Sequence, residues 1–121
     1  MARQSEFVQF VLELLAPLGN VRARAMFGGY GIYRGDVMFA IIEKDRMFFK
    51  VNNVTRQSFV AKGLSPFTYV SRGKTQTLQY YEAPPEVFEE PEAMQLWAKQ
   101  AVDVALKAKG GKKKTSKPAR G

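Results

Sequence analysis

Two short runs in this 121-residue chain have residue types that could hold a phosphate. Gly28-Gly29-Tyr30-Gly31 invites comparison with a dinucleotide-binding turn, and Gly73-Lys74-Thr75 with the end of a phosphate loop. The first fails on register, because a fingerprint begun at Gly29 needs a small residue where Arg34 stands. The second fails because the glycine required five residues earlier is Thr68, and residues 75–81 read as a strand where the loop needs a helix. The glycines then read as points where a strand bends, bulges or comes close to a neighbour. A cleft beside them, bordered by Tyr30, Tyr33 or Arg34, is what a small-ligand or enzymatic domain would need.

Other chemistry is thin. The chain has no histidine and no cysteine. That removes disulfides, thiolate or imidazole metal sites, and triads built on either residue. Glu89, Glu90 and Glu92 lie around the start of the last helix, where the dipole favours negative charge. Asp36 and Asp45 fall at turns, which suit a side chain able to bond its own backbone. No carboxylate loop for a metal is recognisable, so neither cofactor nor catalysis is expected.

What remains is cationic and aromatic. Arg22 and Arg24 are two residues apart on one strand face, while Arg34, Lys44, Arg46 and Arg72 fall at turns. Together they could make a basic surface for an anionic partner such as nucleic acid, or equally be solvated edge charges that discourage strand-to-strand aggregation. Aromatics alternating with Arg on a sheet could stack bases, with Tyr30, Tyr33 and Tyr80 the rings to watch for exposure; most of the others are needed to fill a small core. The formal net charge is +8, but residues 107–121 hold seven cations (Lys107, Lys109, Lys112, Lys113, Lys114, Lys117, Arg120) and no acid. Nineteen Lys/Arg less these seven leaves twelve against eleven acids in 1–106, a net of +1. A cationic run of this kind attracts polyanions through counterion release, or simply solubilises the chain. Residues 22–74 carry +7 and residues 82–106 carry −5, so the body is dipolar.

The positioning elements follow from periodicity. Phe7, Val8, Val11, Leu12, Leu14, Leu15 and Leu18 recur at helical spacing after a capping Ser5, up to Pro17 and Gly19. Residues 21–51 alternate and turn as an antiparallel meander. A short helix opens on Asn53 or Thr55 and closes at Gly63. Strands over 67–70 and 75–81 come next, then the Pro84-Pro85 break and a helix from about Pro91 with Met94, Leu96, Trp97, Ala101, Val102, Ala105 and Leu106 as its buried stripe. Residues 1–106 form one domain and 107–121 a basic disordered tail. No apolar run reaches the roughly 18 residues of a bilayer span, and the N-terminus lacks the pattern of a secretory leader, so a cytoplasmic place is expected.

The runs Arg24-Ala25-Met26-Phe27-Gly28-Gly29-Tyr30-Gly31-Ile32-Tyr33, residues 37–42 and 47–51, Phe59, Gly63, Pro66-Phe67-Thr68-Tyr69, residues 80–85 and Leu96-Trp97-Ala98 together resemble the N-terminal domain of the TfoX/Sxy competence regulators. The likeness covers roughly residues 6–106. It implies an α+β fold, a two-layer α/β sandwich whose antiparallel sheet of about five strands carries helices on one face, similar to secretion chaperones. Met26, Phe27, Gly28, Gly29, Gly31 and Tyr33 would be its structural signature, with no catalytic residue among them. It also implies a bacterial regulatory role in DNA transformation, working with a transcription factor, the cyclic-AMP receptor protein. Separately, an edge strand left open by the meander could pair with another copy, so the chain is expected as a monomer or homodimer. The family's two-domain regulators continue into a helical C-terminal domain where this chain has its lysine-rich end.

Overall fold

The computed structural model describes residues 2–26 and 28–115, with side chains from Glu6 to Met26 and from Gly28 to Lys109. Helix α1 (Ala2–Leu15) leads through a 3-10 turn (Ala16–Leu18) into strands β1 (Val21–Met26), β2 (Gly29–Arg34), β3 (Val37–Glu43) and β4 (Arg46–Lys50). Helix α2 (Arg56–Ala61), strands β5 (Pro66–Ser71) and β6 (Lys74–Glu82), and helices α3 (Glu86–Glu89) and α4 (Pro91–Thr115) complete the chain. The strands form a single antiparallel sheet in the order β1-β2-β3-β4-β6-β5, six where about five were expected. The meander over 21–51 supplies four neighbours in sequence; β6 then inserts between β4 and β5.

All four helices contribute to one apolar core. Val8, Val11 and Leu15 of α1, Phe59 of α2, Val87 of α3, and Met94, Ala98, Ala101 and Ala105 of α4 meet Ile32, Phe39, Ile42, Met47 and Phe49 of the sheet. The helices therefore lie on one face, as the resemblance implied. Each fully buried aromatic, such as Phe39, Phe49 or Phe59, contributes roughly 1.5–3 kcal/mol on removal from water. Phe39 reaches that core through a bulge. Ile32 pairs with Ala40 but Tyr33 pairs with Met38, which leaves Phe39 as the extra residue.

Some local expectations change. Helix α1 begins at Ala2, upstream of Ser5. Helix α2 opens on Thr55 at its N-cap position, as expected, but without a side-chain cap bond; the turn before it is built by Asn52 together with Thr55. Asn52 Oδ1 accepts the N–H groups of Val54 and Thr55 at 2.9 and 2.8 Å, and the Asn52 N–H donates to Thr55 Oγ1. Leu96 and Leu106 leave the stripe of α4 and face solvent at 68% and 49% exposure, while Met94, Ala98, Ala101 and Ala105 turn inward at three- and four-residue spacing. The segment expected as a disordered tail divides: α4 continues through Lys107 to Thr115, and residues 116–121 lie outside the described residues. Gln95 ties α4 to α1 by donating to the Leu14 carbonyl at 2.8 Å, one of the acceptors that the end of α1 leaves open.

Candidate functional site

The sheet face turned away from the helices has an apolar cluster of its own. Ile41, Phe48, Phe67 and Tyr80 are 3–6% exposed, with Met38 and Leu78 packed against them, and every member comes from a strand. Phe48 and Phe67 meet edge to face at 5.1 Å between centroids, and Phe67 stacks with Tyr69 at 6.3 Å. The Tyr80 hydroxyl donates to the Met38 carbonyl at 3.2 Å. Burial pushes that phenol well above its ordinary value, and nearby Tyr33 adds a smaller push.

Cationic side chains roof this cluster, which no helix among the described residues covers. Arg46 lies 5.3 Å from the Phe48 ring and Lys50 5.0 Å from the Tyr80 ring. Arg22 and Arg24 both lie over Tyr33, at 5.2 and 5.7 Å. Long aliphatic stems cover apolar surface while their heads stay wet, and a cation over an aromatic ring is attracted by its quadrupole. Two of the cations are also held structurally. Arg46 forms a two-pronged pair with Glu82 at 2.7 and 3.2 Å, and this hydrogen bond raises the guanidinium pKa above its usual value. Arg22 donates to the Gly35 carbonyl at 3.3 Å.

This geometry sorts the residues singled out in the sequence. Arg22 and Arg24 do share one face. Arg34 is spent elsewhere, donating to the Leu18 carbonyl at 3.3 Å. Lys107 pairs with Asp103 at 3.2 Å within α4, and Lys109 with Asp36 at 3.3 Å across to the β2–β3 turn. The backbone of α4 passes through Lys112, Lys113 and Lys114, whereas Lys117, Arg120 and the signature residue Phe27 lie outside the described residues. Of the rings watched for exposure, Tyr80 is buried and Tyr30 and Tyr33 are half-buried; Tyr69, not singled out, is 40% exposed. With Phe48, Phe67 and Tyr80 buried, the face does not offer a run of open rings for base stacking. It offers planar guanidinium groups on an apolar floor, suited to carboxylate or phosphate groups of a partner.

The glycine run serves the sheet. A Cβ on Gly29 would overlap the Ile42 carbonyl oxygen and stand 3.3 Å from Glu43 Cα. A Cβ on Gly31 would stand 2.6 Å from Met38 Sδ and 2.7 Å from Met26 Sδ. Gly28 occupies the turn between β1 and β2. Three surface concavities are lined by described residues, and none of the three borders Tyr30, Tyr33 or Arg34. Among the described residues no group of three acids gathers as a metal site would require, and no helix is long and apolar enough to cross a membrane.

Comparison with known proteins places this architecture. The sequence pattern of the TfoX N-terminal domain matches residues 13–105. Protein Sxy of Escherichia coli (strain K12) is 28% identical over 97 residues, which cover 80% of this chain and 46% of that protein. DNA transformation protein TfoX1 of Aliivibrio fischeri (strain ATCC 700601 / ES114) is 28% identical over 90 residues, 74% of this chain and 41% of that protein. The chain thus matches less than half the length of each of these relatives.

Proposed function

This chain belongs to the TfoX N-terminal domain family, and on that footing we propose that it is a non-enzymatic regulatory module of DNA transformation or of the transcription that controls it. The observation that carries the reading is the match across residues 13–105, which spans both layers of the fold, from α1 to the buried stripe of α4. The name of one relative, a DNA transformation protein, supplies the process. In this reading the module works in the cytoplasm through protein contacts. Its helix-free sheet face, with Arg22 and Arg24 on Tyr33, meets acidic groups of a transcription-factor partner. The lysine-rich end of α4 adds sequence-independent attraction for nucleic acid.

A chimera tests the role. The segment of TfoX1 that matches this chain is replaced by residues 13–105, and transformation is measured in Aliivibrio fischeri lacking its own copy. Transformation well above the deletion background supports the proposal; a chimera that accumulates stably and stays at background overturns it. The nucleic-acid component has a separate readout. Changing Lys112, Lys113, Lys114 and Lys117 to Ser is expected to lower duplex affinity and to flatten the dependence of log affinity on log salt by up to about 0.9 per cation removed. Unchanged affinity and slope would take these lysines out of the mechanism.

A further inference from the structure

The two edges of the sheet are built differently. Strand β1 carries exposed Arg22 and Arg24, side chains that discourage pairing with another copy. Strand β5 has a neighbour on one side only among the described residues, and Pro66–Ser71 contains no charged side chain. Its residues from Thr68 onward are exposed, Val70 at 71% and Tyr69 at 40%. β6 joins β4 only through Tyr80–Glu82, so the rest of the β5–β6 hairpin projects beyond β4 as a ribbon.

The hairpin loop fixes which groups face outward. Arg72 and Gly73 both have positive φ, +55° and +78°, which makes Arg72-Gly73 a two-residue type I′ loop. The flanking pair, Ser71 and Lys74, then exchanges hydrogen bonds, and by alternation so does Tyr69 with Gln76. Thr68 and Val70 therefore turn their N–H and C=O groups away from β6.

From this register the geometry points to a homodimer formed by antiparallel pairing of β5 with β5 of a second copy, about a two-fold axis at Tyr69. Thr68 of each copy pairs with Val70 of the other through hydrogen bonds, and the two Tyr69 residues face each other at a non-hydrogen-bonded position, where side chains come closest. Neighbouring registers are poorer. An axis at Thr68 brings Val70 opposite Pro66, which has no N–H, and an axis at Val70 brings Thr68 opposite Arg72, already in the turn. In the chosen register Arg72 faces Pro66, and no like charges meet. The interface is isologous, as two-fold symmetry demands. It joins two six-stranded sheets into one, with the Arg22/Arg24 faces on the same side.

The chain's lack of cysteine permits a direct test. Light scattering on the full chain is expected to give twice the 13.6 kDa chain mass at micromolar concentration and above. Val70→Lys places a charge on the edge, and Thr68→Pro removes an outward N–H that β6 does not use; each is expected to return the mass to that of one chain with unchanged circular dichroism. Tyr69→Cys is expected to form an intermolecular disulfide under mild oxidation, because cross-strand Cα atoms about 4.5 Å apart fall within the disulfide range. Val60→Cys, exposed on α2, is the comparison and is expected to stay reduced far longer. A single-chain mass at every concentration overturns the proposal. So does a dimer in which Tyr69→Cys cross-links no faster than Val60→Cys, since that dimer uses another surface.

Discussion

Alanine at Gly29 and alanine at Gly31 look like the same change, yet their expected costs differ widely. Gly29 pairs with Met26 and is followed by Tyr30, which pairs with Ile42. Its new Cβ meets the Ile42 carbonyl oxygen, a backbone atom held by the β2–β3 ladder. Relief requires parting those strands, and each ladder hydrogen bond lost costs about 1 kcal/mol net. With the strain of overpacking, about 1–3 kcal/mol, and less the roughly 0.4–1 kcal/mol that losing a glycine from the unfolded chain returns, Gly29→Ala should cost about 2 kcal/mol. At Gly31 the obstacles are two thioether sulfurs, at 2.6 and 2.7 Å, on flexible side chains at the helix-free face. They can swing aside for about 1 kcal/mol at the low end of overpacking. Removing glycine from the unfolded chain returns about 0.4–1 kcal/mol, so Gly31→Ala should be nearly neutral. Urea unfolding of both variants measures the difference, expected at about 2 kcal/mol with m unchanged. In thermal melts this is on the order of 10 °C for a domain of this size. If Gly31→Ala proves as costly as Gly29→Ala, the Met26 and Met38 side chains do not yield where the Ile42 backbone resists, and the distinction between the two glycines is refuted.

Three further outcomes are expected. Lys44 and Asp45 turn the β3–β4 hairpin with φ of +51° and +60°, a conformation that Lys adopts reluctantly. Lys44→Asn with Asp45→Gly should therefore raise stability by about 1 kcal/mol, and an unchanged urea midpoint would count against it. The Tyr80 phenol is raised from its ordinary value, chiefly by burial, so the folded chain keeps a proton that the unfolded chain releases above about pH 10. That stability is whole below this pH and is lost as pH rises through the folded value. Phenolate absorbance of the folded chain should show an ionisation above the ordinary tyrosine range that Tyr80→Phe removes, and Tyr80→Phe should blunt the alkaline loss; an unchanged titration in that variant would contradict this. Arg46 and Glu82 are 52% and 32% exposed, which limits their pair to at most about 1 kcal/mol, reduced by salt. A double-mutant cycle at two salt concentrations measures it, and a coupling well above that limit would mean the pair is better shielded than its exposure implies.

The elements of this protein were legible in its sequence because they rest on local periodicity. Helix α1, the meander over 21–51 and the start of α4 at Pro91 all follow from spacing, turn residues and caps within one element or between neighbours. The family resemblance was legible too, because the glycine-aromatic run and the apolar segments after it stand in order. Arg22 and Arg24 could be assigned a common face from strand alternation alone. Tertiary structure decided what depends on distant partners. The insertion of β6 between β4 and β5 has no local marker, and it sets Arg46 beside Glu82, 36 residues away. The bulge that sends Phe39 into the core exists only through the pairing of β2 with β3. Leu96 and Leu106 looked like core residues because an apolar side chain does not record which face of its helix the sheet will cover. The second apolar cluster was hidden for a related reason: Ile41, Phe48, Phe67 and Tyr80 belong to four strands and meet only when the sheet closes. Periodicity tells a chain which of its faces are apolar, but only pairing and packing decide which are covered, and by what.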